Sequence, residues 1–476
     1  MQTVLLFSRA VLRAAFRSGR MLLLAALTLL AGTAAAQRPN IILIVADDLG
    51  WRDLGFMGSH FYETPQLDKL AKQSLVFTNG YAAAANCAPS RACMLTGLNT
   101  PRHGIYTVGK SDRGNAKTRK IIPTPNTTVL DHRFPTLPAM LQQAGYHTAI
   151  IGKWHLSSNP LLHGFDYNRG GTHQGHPPSY FSPYKIPTLT DGAPGEYLTD
   201  RLTSEAVSFL EENRKKAFFL YLPYYAVHTP LQAPAALVEK YERKPKVPGQ
   251  ANPVYAAMVE NMDMNIGRLL TKLQALGLDS NTLVIFTSDN GGIRATSHQS
   301  PLRAGKGSYY EGGIRVPLVF RWPGHIQPGT SAVPVTNMDF FPTLLNLLSI
   351  NTNAPELDGQ SILPVLQGGT MAARPLFWHF PVYLEAYNRQ EDEARDPLFR
   401  TRPGSCVRYG HWKLLQYFED NDLELYNLQT DPGEQHNLAA SQPQMLAKLK
   451  GMLEQWQQAA KAPIPRQRNP QYAGGN

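Results

Sequence analysis

Four short apolar runs constrain this chain most, because each is too uniformly apolar for a half-exposed strand and each ends in polar residues. Asn40–Ala46 has no polar alternation after its first residue and runs directly into Asp47 and Asp48. Thr282–Ser288 repeats that arrangement and delivers Asp289 and Asn290. His147–Ile151 leads to Gly152, Lys153 and His155, and residues 217–222 lead through Pro223 to His228. Strands of this kind are covered on both faces, as in a parallel sheet. Ligands of open α/β sheets collect at the carboxyl ends of the strands, so four exits carrying acids, lysine and histidines describe one site. Two adjacent carboxylates behind a buried strand repel each other unless a cation or strong donors lie between them.

Between these runs the apolar spacing predicts helices over 65–74 behind a Thr64 cap, 137–144, 197–212 and 255–276. Strand and helix alternate, so the fold class is α/β, with a large mixed, mostly parallel sheet between helices. Residues 107–134, 159–193, 233–252 and 295–310 have no clear period and read as long loops that wall a site. A composition change near residue 366 divides a catalytic domain, 37–366, from a C-terminal subdomain, 367–476. In the latter, 405–417 and 423–428 read as a small antiparallel sheet closed by an amphipathic helix over 443–459.

Residues 1–36 combine a basic stretch, an apolar run from Met21 to Leu30 and Ala34-Ala35-Ala36, the pattern of a cleaved export signal. The run is short for a membrane span, so no stable membrane insertion is expected. Arg9, Arg13, Arg17 and Arg20 lie in this segment without an acid, so four of the chain's ten net positive charges belong to it and +6 remains. That modest excess suits an anionic substrate, and no basic run interleaved with aromatics points to nucleic acid. Cys87, Cys93 and Cys406 are an odd set, so at least one is unpaired or chemically occupied; pairing of the other two stays open.

One stretch, Cys87-Ala-Pro-Ser-Arg-Ala-Cys-Met-Leu-Thr-Gly97, places a thiol, an arginine and a proline-initiated helix together. Pro89 suits a first helical position, which puts Cys87 just outside a helix whose free N–H groups attract anions. Arg91 adds a planar, permanently charged donor set for tetrahedral oxyanions. Taken alone, Cys87 is a buried thiol, a low-pKa nucleophile or a site of covalent modification. Cys-x-Pro-Ser-Arg followed by Leu-Thr-Gly resembles the signature of type I sulfatases, in which the cysteine is oxidised to Cα-formylglycine. The resemblance continues through Gly152-Lys-Trp-His, Ser288-Asp-Asn-Gly-Gly, the segment from Gly305 to Pro317 and the segment from Leu425 to Glu434. It implies the alkaline-phosphatase-like sandwich and a formylglycine-generating enzyme or equivalent maturation system as partner.

Asp47, Asp48, Asp289 and Asn290 offer hard oxygen ligands, with no histidine or thiolate at metal spacing, which selects calcium or magnesium over zinc. The resemblance implies one Ca²⁺ at these positions, completed by an oxygen of the modified Cys87. It further implies that a hydrated aldehyde at position 87 attacks sulfur, oriented by Arg91 and Asp289. By the same likeness His228, helped by Lys306, protonates the leaving oxygen, His155 partners the diol, and Lys153 and Lys306 flank the sulfate. His163, His173, His176, Arg294, His298 and Arg303 fall in the loops and are candidates for substrate selection, each on its own a weak one. An exported chain with such loops fits a sulfated glycan, a polysaccharide or its oligosaccharides. Two rival readings are a phosphate or phosphonate ester hydrolase and, if Cys87 stays a thiol, a non-catalytic glycan-binding protein.

Overall fold

The computed structural model describes residues 38–350 and 356–474; the expected export signal lies outside them. The described residues from 39 onward belong to one compact unit, and of the other unit, 1–38, only Arg38 is described. The main sheet has eight strands: β1 Asn40–Ala46, β2 Leu75–Phe77, β3 His147–Ile151, β4 Tyr167–Arg169, β5 Phe218–Pro223, β6 Thr282–Ser288, β7 Leu318–Arg321 and β8 Gly329–Ser331. Their order is β4-β3-β5-β1-β6-β7-β2-β8. The β6–β7 and β7–β2 junctions are antiparallel and the others parallel.

Every residue of β1 is buried, as its uniform apolarity requires. Because side chains alternate along a strand, Ile42 and Ile44 enter one core and Ile41, Leu43 and Val45 the other. Helix α1 (Pro65–Lys72) covers the first face together with α4 (Leu198–Asn213) and α6 (Pro253–Ala275). The second is covered by α2 (Cys87–Thr96), α3 (Leu137–Gln143) and α7 (Phe340–Leu347). The three layers follow from the need to bury both faces, each fully buried Leu or Ile contributing about 1.5–3 kcal/mol.

A second, antiparallel sheet has the order β9 (Leu376–Phe380), β10 (Gly404–Tyr409), β11 (Trp412–Tyr417) and β12 (Leu423–Asn427). Its Trp378, Cys406 and Leu415 pack on Tyr81, Tyr309 and Tyr310. Its Val407, Leu414 and Leu425 meet Leu449 and Leu453 of α8 (Pro443–Ala459).

The structure departs from the expected elements in several places. A helix, α5 (Ala235–Arg243), lies inside a stretch expected as loop; Tyr241 is buried in it and Leu237 and Val238 pack half-buried against the first core, a short apolar stripe. Thr64 does not cap α1 with its side chain. Its hydroxyl accepts the Gly55 N–H and donates to Asp68. Edge strand β9 lay outside the sequence-expected sheet. Cys87 is the first residue of α2 rather than its predecessor, which moves Pro89 from the first to the third helical position. Proline is tolerated there because none of the first four N–H groups has an intrahelical acceptor.

Candidate functional site

Parallel pairing of β1 with β6 sets Ala46 beside Ser288, so Asp47 and Asp48 leave the sheet next to Asp289 and Asn290. The exits are tied together: the Asp48 N–H donates to Asp289 Oδ1 (3.2 Å) and the Leu49 N–H to Ser288 Oγ (3.1 Å). On the other side of β1, Asp47 exchanges backbone hydrogen bonds with Ala226 and Val227 at the end of β5. Strand β3 contributes Lys153 through Gly152, whose φ is 123° and whose Cβ, if present, would stand 2.0 Å from the Pro223 carbonyl oxygen. Only glycine fits that crossing.

The seven residues Asp47, Asp48, Cys87, Arg91, Lys153, Asp289 and Asn290 converge there, none more than 2% exposed. Lys153 Nζ meets Asp47 Oδ2 at 2.6 Å, and Lys306 Nζ meets Asp48 Oδ2 at 2.6 Å. Arg91 reaches Asp289 Oδ2 through both Nε and Nη2 at 2.9 Å. Its Nη1 donates to the Lys153 carbonyl (3.1 Å) and to the Tyr221 hydroxyl (3.4 Å). Asn290 Nδ2 donates to Asp48 Oδ1 (2.8 Å), and Cys87 Sγ lies 3.6 Å from the same oxygen. His228 Nε2 is 3.5 Å from Asp48 Oδ2, while its Nδ1 is 2.7 Å from the Thr229 carbonyl oxygen. A proton on Nδ1 satisfies that contact and leaves Nε2 toward the cluster.

Burial dominates the electrostatics. It pushes the Cys87 thiol far up, and Lys153 and Lys306 only partly offset it, so the unmodified thiol is not the low-pKa nucleophile that a helix start suggests. Burial also raises Asp47 to about 7 against the pull of Lys153, with Asp289 and Asp48 adding to the rise. In Asp48 burial is outweighed by Lys306, His228 and Lys153, which hold its carboxyl well below the usual range. Burial and then Lys306 lower His228 to about 3. Burial and Lys153 drive His155 well below its ordinary value, leaving it neutral.

Asp47 Oδ1 and Asn290 Oδ1 are buried and lack a hydrogen-bond donor among the described residues. Buried lone pairs without donors in a carboxylate-rich cluster suit a hard cation such as calcium. The ligand atoms of Asp47, Cys87 and Asp289 lie within 4.8 Å of one another, as do those of Asp48, Cys87 and His228. Residue 87 thus stands beside the carboxylates with which it was expected to share an ion, and the fold adds the His228 imidazole, which was expected on the leaving-group side.

The loop candidates separate. His163 is buried against the Trp154 ring with Nε2 3.1 Å from Ser157 Oγ, and Arg303 lies 3.9 Å over the Tyr310 ring while donating to the Glu434 and Glu393 carbonyls. Both are structural ties. His176 stacks on His228, ring centroids 6.1 Å apart, whereas His173 is exposed and His298 packs beside Gly249. Arg294 is buried and paired with Glu393. Cys93, 3.4 Å from His103 Nε2, and Cys406 are both free thiols. Sequence reasoning missed Tyr221, the hydroxyl behind Arg91, and Arg400, which donates to the Lys306 carbonyl. Neither lies in a motif, because both act through backbone placement set by strand pairing.

A sulfatase family model matches residues 39–350, and an N-sulphoglucosamine sulphohydrolase C-terminal model matches 305–461. A sulfatase of Formosa agariphila is 34% identical over an alignment that covers 86% of each chain. N-acetylgalactosamine-6-sulfatase of Homo sapiens is 32% identical, covering 89% of this chain and 87% of its own length. Among solved structures, Ps i-CgsB in complex with k-i-k-neocarrahexaose superposes with a TM-score of 0.71 at 30% identity, over 88% of this chain and 93% of that one. On these matches the chain belongs to the sulfatase family, as a sulfuric ester hydrolase on the alkaline-phosphatase-like α/β fold.

Proposed function

We propose that the protein is exported and releases sulfate from a sulfated polysaccharide or its oligosaccharides, using Cα-formylglycine formed from Cys87 by a separate maturation enzyme. The observation that carries this reading is the joint burial of Cys87 with the carboxylates of Asp47, Asp48 and Asp289, where Asp47 Oδ1 and Asn290 Oδ1 have no donor among the described residues. Asp47, Asp48, Asp289 and Asn290, with residue 87, would hold one calcium ion, which supplies positive charge and Lewis acidity. Three carboxylates face the three cations Arg91, Lys153 and Lys306, so a divalent ion would leave the pocket net positive toward an anionic ester. Lys153 and Lys306 balance charge that grows on the sulfate oxygens, and Arg91 holds the Asp289 carboxylate in place. His228 Nε2 is placed to hand a proton to the leaving oxygen, and a bound anionic ester beside it raises the proton affinity that burial and Lys306 depress. Carbohydrate relatives support the substrate class: one is named for N-acetylgalactosamine-6-sulfate chemistry, and another was solved with a neocarrahexaose.

The test has two readings. Protein from its native host should show the peptide containing position 87 lighter by about 18 Da, the difference between a thiol-bearing and an aldehyde side chain. The same protein should release sulfate from sulfated oligosaccharides, and chelation should abolish that release. An unmodified cysteine in native protein overturns the hydrolytic reading and favours a sulfated-glycan-binding protein; faster turnover of the matched phosphate ester favours a phosphoester hydrolase.

A further inference from the structure

The C-terminal part of the chain reaches into the site neighbourhood through one loop, residues 386–398, between the short strands Leu384–Glu385 and Phe399–Thr401. Arg400 anchors it: its Nη1 donates to the Lys306 carbonyl (3.1 Å), its Nε donates to the Glu385 carbonyl (2.8 Å), and its guanidinium lies 3.5 Å from the Tyr387 ring centre. The loop carries Glu391, Asp392 and Glu393 in succession. Asp392 is spent on the Tyr387 and Asn388 N–H groups, whereas Glu393 reaches across to Arg294.

Arg294 sits on the segment that follows Asp289 and Asn290, and it adjoins the Lys306 segment closely. The Lys306 N–H donates to the Gly292 carbonyl (2.8 Å), and a Cβ on Gly305 would fall 2.9 Å from the Arg294 nitrogen. Arg294 is only 6% exposed, yet its Nε and Nη1 have no acceptor among the described residues. Among the described residues its side chain has one hydrogen-bond partner, the Glu393 carboxylate on Nη2, and that carboxylate is 43% exposed. A guanidinium that is nine-tenths buried with two idle donors is costly unless something fills them. Its planar fork matches a carboxylate or a sulfate, and an exposed carboxylate is the easier partner to displace.

We propose that Arg294 anchors a second anion subsite beside the sulfate-ester pocket, occupied at rest by Glu393 and in use by a further sulfate or carboxylate group of the same glycan. This rests on the sulfated-glycan reading above, and the C-terminal loop then acts as a specificity element that favours densely charged chains over singly sulfated ones. Displacement of Glu393 exchanges one anion for another on Arg294, so no charge is stranded in the buried position.

The experiment measures binding by calorimetry in a Cys87→Ala background, and kcat/KM in the matured enzyme. Three probes share one galactan disaccharide backbone: one carries a single sulfate, one carries two, and one carries a sulfate and a carboxylate. The expected result is that Arg294→Gln lowers the preference for the doubly charged probes over the single one at least tenfold, mainly through KM. Glu393→Gln, on an exposed loop, should tighten the doubly charged probes severalfold. The probe with the larger change identifies sulfate or carboxylate as the preferred occupant. Equal affinities of the parent for all three probes, proportionate losses on all three in Arg294→Gln, or weaker binding in Glu393→Gln would each overturn the subsite. Binding without sulfate release would defeat the hydrolytic reading while leaving the subsite measured.

Discussion

Arg91 shows how much one residue of the site carries. It has no solvent exposure, holds Asp289 through two nitrogens and approaches Asp47 Oδ1 at 3.7 Å. Removing one partner of such a cluster leaves buried charge uncompensated, so Arg91→Ala should cost about 3–5 kcal/mol in urea unfolding. Arg91→Lys keeps the charge but loses the fork, and its sulfate release should fall on the order of 10²-fold with a smaller loss of stability. A loss under about 1 kcal/mol for the alanine variant would mean that Asp47 and Asp289 are compensated without Arg91. Residue types and order made Asp47, Asp48, Cys87, Arg91, Asp289 and Asn290 legible beforehand. Which carboxylate each lysine faces was not legible, since Lys153–Asp47 follows from strand order and Lys306–Asp48 from the path of the loop that carries Lys306.

At the scale of elements, glycines separate two kinds of constraint. Gly152 turns β3 toward the site at φ 123° with the Pro223 carbonyl against it, so Gly152→Ala should destabilise by more than about 3 kcal/mol or abolish soluble expression. Gly451 lies inside α8, where an added Cβ would meet open space beyond the helix's own backbone among the described residues, so Gly451→Ala should raise the unfolding free energy by about 1 kcal/mol. Denaturant titration of the two variants checks both signs. The buried strands were readable because no solvent face interrupts their apolar run. Helix α5 was hidden because three apolar contacts within 9 residues are too short a run to establish a period.

At the scale of the whole molecule, buried histidines should make the fold acid-sensitive, and two of them, His103 and His379, lie outside the proposed catalytic set. Burial lowers both His103 and His379 to about 3. His103 Nδ1 accepts the Ile105 N–H, while His379 bridges Ser405 on β10 and the Pro463 carbonyl behind α8. Below about pH 6.5 the unfolded chain takes up protons that the folded chain refuses, so stability present at neutral pH is lost as pH falls toward 3. Each histidine contributes up to about 1.4 kcal/mol per pH unit across that window. Thermal unfolding followed from pH 7 to 4 should show the decline, and His379→Gln should flatten it. An unchanged slope in that variant would assign the acid sensitivity to other groups.

By itself the sequence determined the α/β class, the four strand exits and the identity of the chemical groups, because uniform apolarity and motif spacing are local properties. Only the tertiary structure decided their partnerships. It placed β1 between β5 and β6, brought Cys87 and His228 to Asp48, and turned His163 and Arg303 into packing. It also carried Glu393 of the C-terminal loop onto Arg294, 99 residues earlier in the chain. Such contacts join segments far apart in the chain, and their selection rests on close packing and charge compensation in a buried volume, which no short stretch of sequence contains.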